Sequence, residues 1–147
     1  MIRDSIDILQ KPFPTFASRR SQVLIFKPAK KVWNIVGQAS RLPEWFPGVK
    51  SVTISENRRQ MVTDADFVIN ETILMADPGL MRFQYSIGMP LIKHHISTID
   101  VIEVSDSSCV LIYSVDAEPA TMALVIAGAG YNAIRYLKAK VENNSIE

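Results

Sequence analysis

Cysteine is nearly missing from this chain: Cys109 stands alone among 147 residues. One thiol cannot build an internal disulfide framework, and such sparing use fits a reducing, cytoplasmic setting. Its neighbours are apolar and strand-like, so Cys109 reads as a buried thiol rather than a nucleophile. Histidine is almost as scarce, with His94 and His95 side by side. Adjacent strand residues point to opposite faces, which sets the two rings apart as ligands for one ion. No third ligand stands at metal-site spacing, and no metal or cofactor is expected. Excess charge is lacking too. The formal net charge is +1, which gives little pull toward DNA or a membrane surface. Lys and Arg crowd into the first 60 residues, but as scattered pairs: Arg19-Arg20, Lys30-Lys31 and Arg58-Arg59. None interleaves with aromatics as a nucleic-acid platform would, so they read as solvated surface and no nucleic-acid partner is expected. A membrane-length apolar run is also missing. The longest, Ala120 to Tyr131, has the length of a buried core helix, so no integral membrane association is expected. Asp4 and Asp7 fall where a secretion signal needs an apolar core, which argues against export.

What remains is an ordinary globular composition, 48% hydrophobic and 21% charged. The length predicts one domain that buries roughly two-thirds of its unfolded surface. Residues 1–14 read as an N-terminal extension, because Lys11-Pro12-Phe13-Pro14 ends any helix carrying Ile2, Ile6 and Leu9. That extension either packs on the domain of residues 15–147 or mediates self-association into a homodimer. A first strand is expected over about 15–27. Pro28 then suits the first turn of a helix that stops at Gly37. Ser40 is the expected N-cap of a second short helix through Glu44-Trp45-Phe46, closed by Pro47-Gly48. From Val49 the pattern drops to alternation, with strands expected at about 49–56, 58–64, 66–76, 80–88, 92–104 and 108–117. Turn signals such as Asp77-Pro78-Gly79 separate several of them. Links this short require antiparallel pairing. A long helix should follow Pro119, over about 120–143. Leu124, Gly128, Tyr131 and Arg135 form one stripe on it, with Val125, Asn132 and Tyr136 beside it. The expected fold is α+β, a curved seven-stranded antiparallel sheet in the order β-α-α-β6-α. One helix cannot fill the concave side of such a sheet, so an internal cavity is expected.

Several segments also resemble a known family when taken in order. They are FKPAKKVWNIVGQASRLPEWFPGVKSV (26–52), VINETILMADPGLMRFQYSIG (68–88), HHISTIDVIEV (94–104), CVLIYSVDAEP (109–119) and the last helix. Together they resemble the START-like (SRPBCC) superfamily, in its polyketide cyclase/dehydrase and lipid-transport branch. Pro28, Val32, Trp33, Trp45 and Pro47 keep the family's spacing. Two features depart from it. The hairpin ENRRQMV lacks the usual glycine pair, and Tyr113 stands where the family has a tryptophan. The resemblance implies a helix-grip fold and a small hydrophobic ligand, lipid- or polyketide-like, between sheet and helix.

Strand parity proposes which polar groups face that ligand. Glu71 shares a face with Phe67, Ile69, Ile73 and Met75. A carboxylate there is costly unless it is paired or serves a ligand. The alternatives are an internal basic partner, or a bulge that breaks the parity. Met81, Phe83, Tyr85 and Ile87 share the face of their strand, as do Cys109, Leu111, Tyr113 and Val115 in theirs. Tyr85 and Tyr113 then either offer phenols to the cavity or pack on the helix with the hydroxyl on a backbone group. His95 falls with Ser97, Ile99 and Val101, on the side that the resemblance makes the inner one. On the helix, Asn132 is the best polar candidate to face the sheet, and Gly128 and Gly130 either leave room for ligand or serve packing alone. Trp45 and Phe46 would help close the cavity. The ligand-contacting set is thus Trp45, Phe46, Ile69, Glu71, Ile73, Phe83 and Tyr85, with His95, Ser97, Leu111, Tyr113, Val125, Gly128 and Asn132. An enzymatic alternative, polyketide cyclisation or dehydration, would use Glu71 or His95 as acid or base and Tyr85 or Tyr113 as donor. No nucleophile with an adjacent base and no phosphate loop forces catalysis.

Overall fold

Periodicity turns into structure with element bounds close to those expected. The computed structural model describes residues 16–147, so the expected extension over 1–14 lies outside the described residues. Strand β1 (Ala17–Ile25) leads to helix α1 (Ala29–Val36), a 3-10 turn (Ala39–Arg41) and helix α2 (Leu42–Trp45). Six strands follow: β2 (Val49–Ser55), β3 (Arg58–Thr63), β4 (Val68–Asp77), β5 (Arg82–Gly88), β6 (His94–Ser105) and β7 (Ser108–Glu118). Helix α3 (Ala120–Glu142) closes the chain. Pro28 is the N-cap of α1, but Ser40 is not a cap. The chain begins to coil at Ala39, so Ser40 sits inside the 3-10 turn with no capping bond.

The sheet order is β1-β7-β6-β5-β4-β3-β2, antiparallel throughout. Strands β1 and β2 are therefore opposite edges. Helices α1 and α2 carry the chain from one edge to the other, with Val32, Ile35, Leu42 and Trp45 buried on the way. The result is a seven-stranded antiparallel sheet curved around one long helix, the helix-grip fold. Alternation is cleanest in β7, where Cys109, Leu111, Tyr113, Val115 and Ala117 point inward. Burial of each large apolar side chain contributes roughly 1.5–3 kcal/mol. The β2–β3 hairpin manages without glycine because Glu56 takes the left-handed conformation, at φ 53°.

Two expectations about facing residues fail. A bulge between Ile73 and Met75 inserts one residue into β4, so Ala76 rather than Met75 lies opposite Phe83. Met75 and Phe67 are exposed, and the inward run of β4 is Ile69, Glu71 and Ile73. On α3, Asn132, the polar residue expected to face the sheet, is exposed, as are Leu124, Gly128, Tyr131, Arg135 and Tyr136. The face against the sheet is Ala123, Ile126, Gly130, Ala133, Ile134, Leu137 and Val141. Large aliphatics share that face with Ala123, Gly130 and Ala133, and at Gly130 the helix comes closest to the Tyr113 ring. An alanine Cβ on Gly130 would come within 2.5 Å of the Tyr113 ring.

Candidate functional site

Five neighbouring strands, β3 to β7, place a row of polar groups in an otherwise apolar interior. Register puts Arg59 of β3 opposite Glu71 of β4, and Glu71 opposite Ile87 of β5. Both charged residues are buried. Arg59 Nε donates to Glu71 Oε2 at 2.5 Å, and Nη1 reaches the Ala39 carbonyl at 3.3 Å. The guanidinium carbon lies 5.4 Å from the Phe83 ring centre and 5.1 Å from that of Tyr85. Arg59 thus has no solvated role, unlike the sequence expectation for the Arg58-Arg59 pair. Desolvation raises the Glu71 pKa, and the attraction of Arg59 opposes it.

The next register position explains His95. Strands β5 and β6 pair only as far as Tyr85 and Ser97. One step further, where Ile87 would meet His95, the ladder opens and the imidazole takes over its hydrogen bond. Ile87 N–H donates to His95 Nδ1 at 2.9 Å. The other ring nitrogen, Nε2, lies 2.8 Å from Ser97 Oγ. Beyond Ser97, the Tyr85 and Tyr113 hydroxyls bond to each other, and Ser97 interacts with both. Burial pushes the Tyr85 pKa up to about 12 and that of Tyr113 well up, so both stay protonated. His94 points the other way and is exposed, 4.0 Å from Glu118.

Burial pushes the His95 pKa from 6.5 down to about 4, with Asp116 pulling weakly upward. The folded state therefore refuses a proton that the unfolded chain accepts between those values. This contribution to stability is whole above about pH 6.5 and is lost as pH falls toward 4. Glu71 works in the opposite sense and offsets part of it, so the expected loss stays below the roughly 3 kcal/mol of the His95 shift alone. Urea titrations from pH 7 to 4 should show this acid limb, flattened in His95→Gln. An unchanged slope in the variant would assign the limb to other groups.

A cavity of about 280 Å³ lies between the sheet and the first half of α3. Its wall is Leu42, Phe46, Met61, Ile69, Ile87, Met89, Ile92, Met122, Val125, Ile126 and Ala129, with Glu71 and Tyr85 as the polar points. Val125, on this wall, is 63% exposed. Of the residues expected at the ligand, Phe46, Ile69, Glu71, Tyr85 and Val125 lie on this wall. Trp45, Phe83, His95, Ser97, Leu111 and Tyr113 are buried away from it, and Ile73 is half-buried off it. Gly128 and Asn132 lie on the outer side of α3 and do not face the sheet, where Ile126, Gly130, Ala133 and Ile134 are buried instead. Sequence reasoning missed Arg59 and the three wall methionines, Met61, Met89 and Met122. A usable signal existed for Arg59: a residue opposite an inward Glu71 in an antiparallel hairpin must point inward too.

An antiparallel sheet gripping one helix around a small apolar cavity defines a START-like helix-grip protein. The chain belongs to the family described as polyketide cyclase/dehydrase and lipid transport, whose model matches residues 17–143. Among solved structures it is similar to the protein XoxI from Bacillus cereus, with 20% identity and a TM-score of 0.81 over 89% of this chain and 99% of that one. Norcoclaurine synthase from Thalictrum flavum, solved with dopamine and hydroxybenzaldehyde, matches at 14% identity and a TM-score of 0.70, covering 90% of each chain. The di-domain ARO/CYC BexL of the BE-7585A biosynthetic pathway matches at 18% identity and a TM-score of 0.75 over 86% of this chain and 46% of that one. At these identities the likeness shows the fold. No curated protein is similar in sequence. Among the described residues no helix is long and apolar enough to cross a membrane.

Proposed function

We propose that the protein binds a small, largely hydrophobic molecule, lipid- or polyketide-like, in the cavity under α3, with Glu71 and Tyr85 fixing its orientation. The observation that carries this reading is the wall itself: apolar nearly everywhere, with one carboxylate and one phenol. At about 280 Å³ it has nearly twice the ~150 Å³ that accepts benzene in a dry engineered cavity, room for a bicyclic body. Methionines at three wall positions suit a ligand of irregular shape. Native mass spectrometry of freshly purified protein should detect a bound small molecule. Val125→Trp, placed at the exposed rim, should lower binding of a hydrophobic fluorophore more than tenfold while leaving the melting temperature nearly unchanged. Unaltered binding in that variant would put the ligand elsewhere.

A second reading, proton transfer during polyketide cyclisation or dehydration, is supported by the raised pKa of Glu71 beside a phenol donor. His95 suits it less, since it lies off the wall with both nitrogens engaged. Glu71→Gln separates the readings: weakened binding supports a carrier, and lost turnover at near-constant affinity supports an enzyme.

A further inference from the structure

Hydrogen-bond direction in the polar row sets what the ligand must present. A backbone N–H can only donate, so His95 Nδ1 accepts from Ile87 and carries no proton. In the neutral ring the proton then sits on Nε2 and is donated to Ser97 Oγ. Ser97 accordingly receives a proton from behind, and its own is left for one of the phenols beside it, Tyr85 lying directly opposite in register. The Tyr85 and Tyr113 hydroxyls share one bond, and Tyr85 is the one of the two on the cavity wall. Among the described residues no carboxylate hydrogen-bonds to this cluster, so when Ser97 gives its proton to Tyr113 and Tyr113 gives its own to Tyr85, the Tyr85 proton is left for the cavity. Arg59 is bonded to Glu71 and to the Ala39 carbonyl, keeps a buried Nη2 without a hydrogen-bond partner among the described residues, and is not on the wall. The wall itself therefore carries a hydroxyl donor and no cationic side chain.

We infer that Ile87, His95 and Ser97 hold Tyr113 and Tyr85 as a one-way donor aimed into the cavity, so that the ligand is an uncharged molecule presenting a carbonyl-type acceptor oxygen to the Tyr85 hydroxyl. Tyr85 is the contact residue, and His95 is a positioning residue acting through Ser97. This inference rests on the cavity being the binding site and narrows what it takes.

Three bicyclic probes test it: 2-ethylnaphthalene, 2-acetylnaphthalene and naphthalene-2-carboxylate, titrated at pH 7. The ketone should bind about five- to tenfold tighter than the ethyl compound, the worth of one buried hydrogen bond. The carboxylate should bind more weakly than the ketone. In Tyr85→Phe the ketone advantage should disappear while both neutral probes still bind. In His95→Phe it should shrink, and His95→Gln, which restores a donor toward Ser97, should recover it. The ratio of the two neutral probes is the readout, because general loosening of the fold moves both alike. The infrared carbonyl stretch of 2-acetylnaphthalene bound to the unsubstituted protein should fall relative to its value in alkane, which needs no variant to fold. Equal binding of ketone and ethyl probes, or an unshifted carbonyl stretch, overturns the inference and leaves the cavity reading standing. Failure of all three probes to bind overturns the cavity reading, and the inference with it.

Discussion

Arg59→Met should destabilise the protein by about 3–5 kcal/mol, the usual result of leaving one member of a buried ion pair without its partner. At 2–4 °C per kcal/mol for a chain of this size, the melting temperature should fall by roughly 10 °C. Arg59 is 3% exposed and bonds Glu71 at 2.5 Å, with the Phe83 and Tyr85 rings on its flanks. Methionine roughly preserves the packing volume, so the loss reports charge rather than a cavity. Glu71 can then avoid an uncompensated charge only by taking a proton. Desolvation already raises its pKa, and removing the attraction of Arg59 raises it further. The penalty should therefore shrink as pH is lowered toward 5, where protonation costs less. Adding Glu71→Leu to Arg59→Met should recover most of the stability, since an apolar pair replaces the ionic one. Urea unfolding of the four proteins of this cycle measures the coupling. A single-variant loss under 1 kcal/mol would mean that the pair contributes little to joining β3 and β4 beneath the cavity.

The same pair shows where the sequence was legible. Alternation and turn chemistry located seven strands and three helical segments because each signal is local. Glu71 stood out as a carboxylate on an apolar face. Arg59 did not, because beside Arg58 it looked like one of several surface pairs. Only the register, which sets Arg59 opposite Glu71, reveals it. The two departures from the family pattern fall on these polar groups: the hairpin without glycines contains Arg59, and the missing tryptophan is Tyr113, which supplies a hydroxyl to the network. Parity could place His95, Ser97 and Tyr113 inward. It could not say which inward groups reach the cavity and which support those that do, since that depends on the opening of the β5–β6 ladder beyond Tyr85. The helix was the least legible element. Residues 120–131 are apolar almost all round, so hydrophobic periodicity gives no phase, and the buried side includes Gly130, where the helix lies too close to the Tyr113 ring for a side chain.

Gly130 is the position where that choice can be measured. Gly130→Ala should destabilise by about 3 kcal/mol, at the upper end for overpacking by one methyl group. Glycine in a helix interior is ordinarily a liability, and alanine by itself would gain up to about 1 kcal/mol. Here the added Cβ would stand 2.5 and 2.6 Å from two carbons of the Tyr113 ring. That ring is 1% exposed, and Phe46 packs beside it at 6.3 Å between centres. The ring has little space to retreat, and any retreat strains the Tyr113–Tyr85 hydroxyl contact. Gly128, half a turn away, supplies the control. Nothing lies within 4 Å of its virtual Cβ, so Gly128→Ala should stabilise by about 0.5–1 kcal/mol. Thermal melts of the two variants should therefore move in opposite directions. Binding should separate them as well: Gly130→Ala should reduce the preference for a ketone probe by displacing Tyr85 through Tyr113, and Gly128→Ala should leave it intact. If both alanines stabilise, α3 does not sit on Tyr113, and the geometry that holds the phenol pair at the cavity wall is wrong.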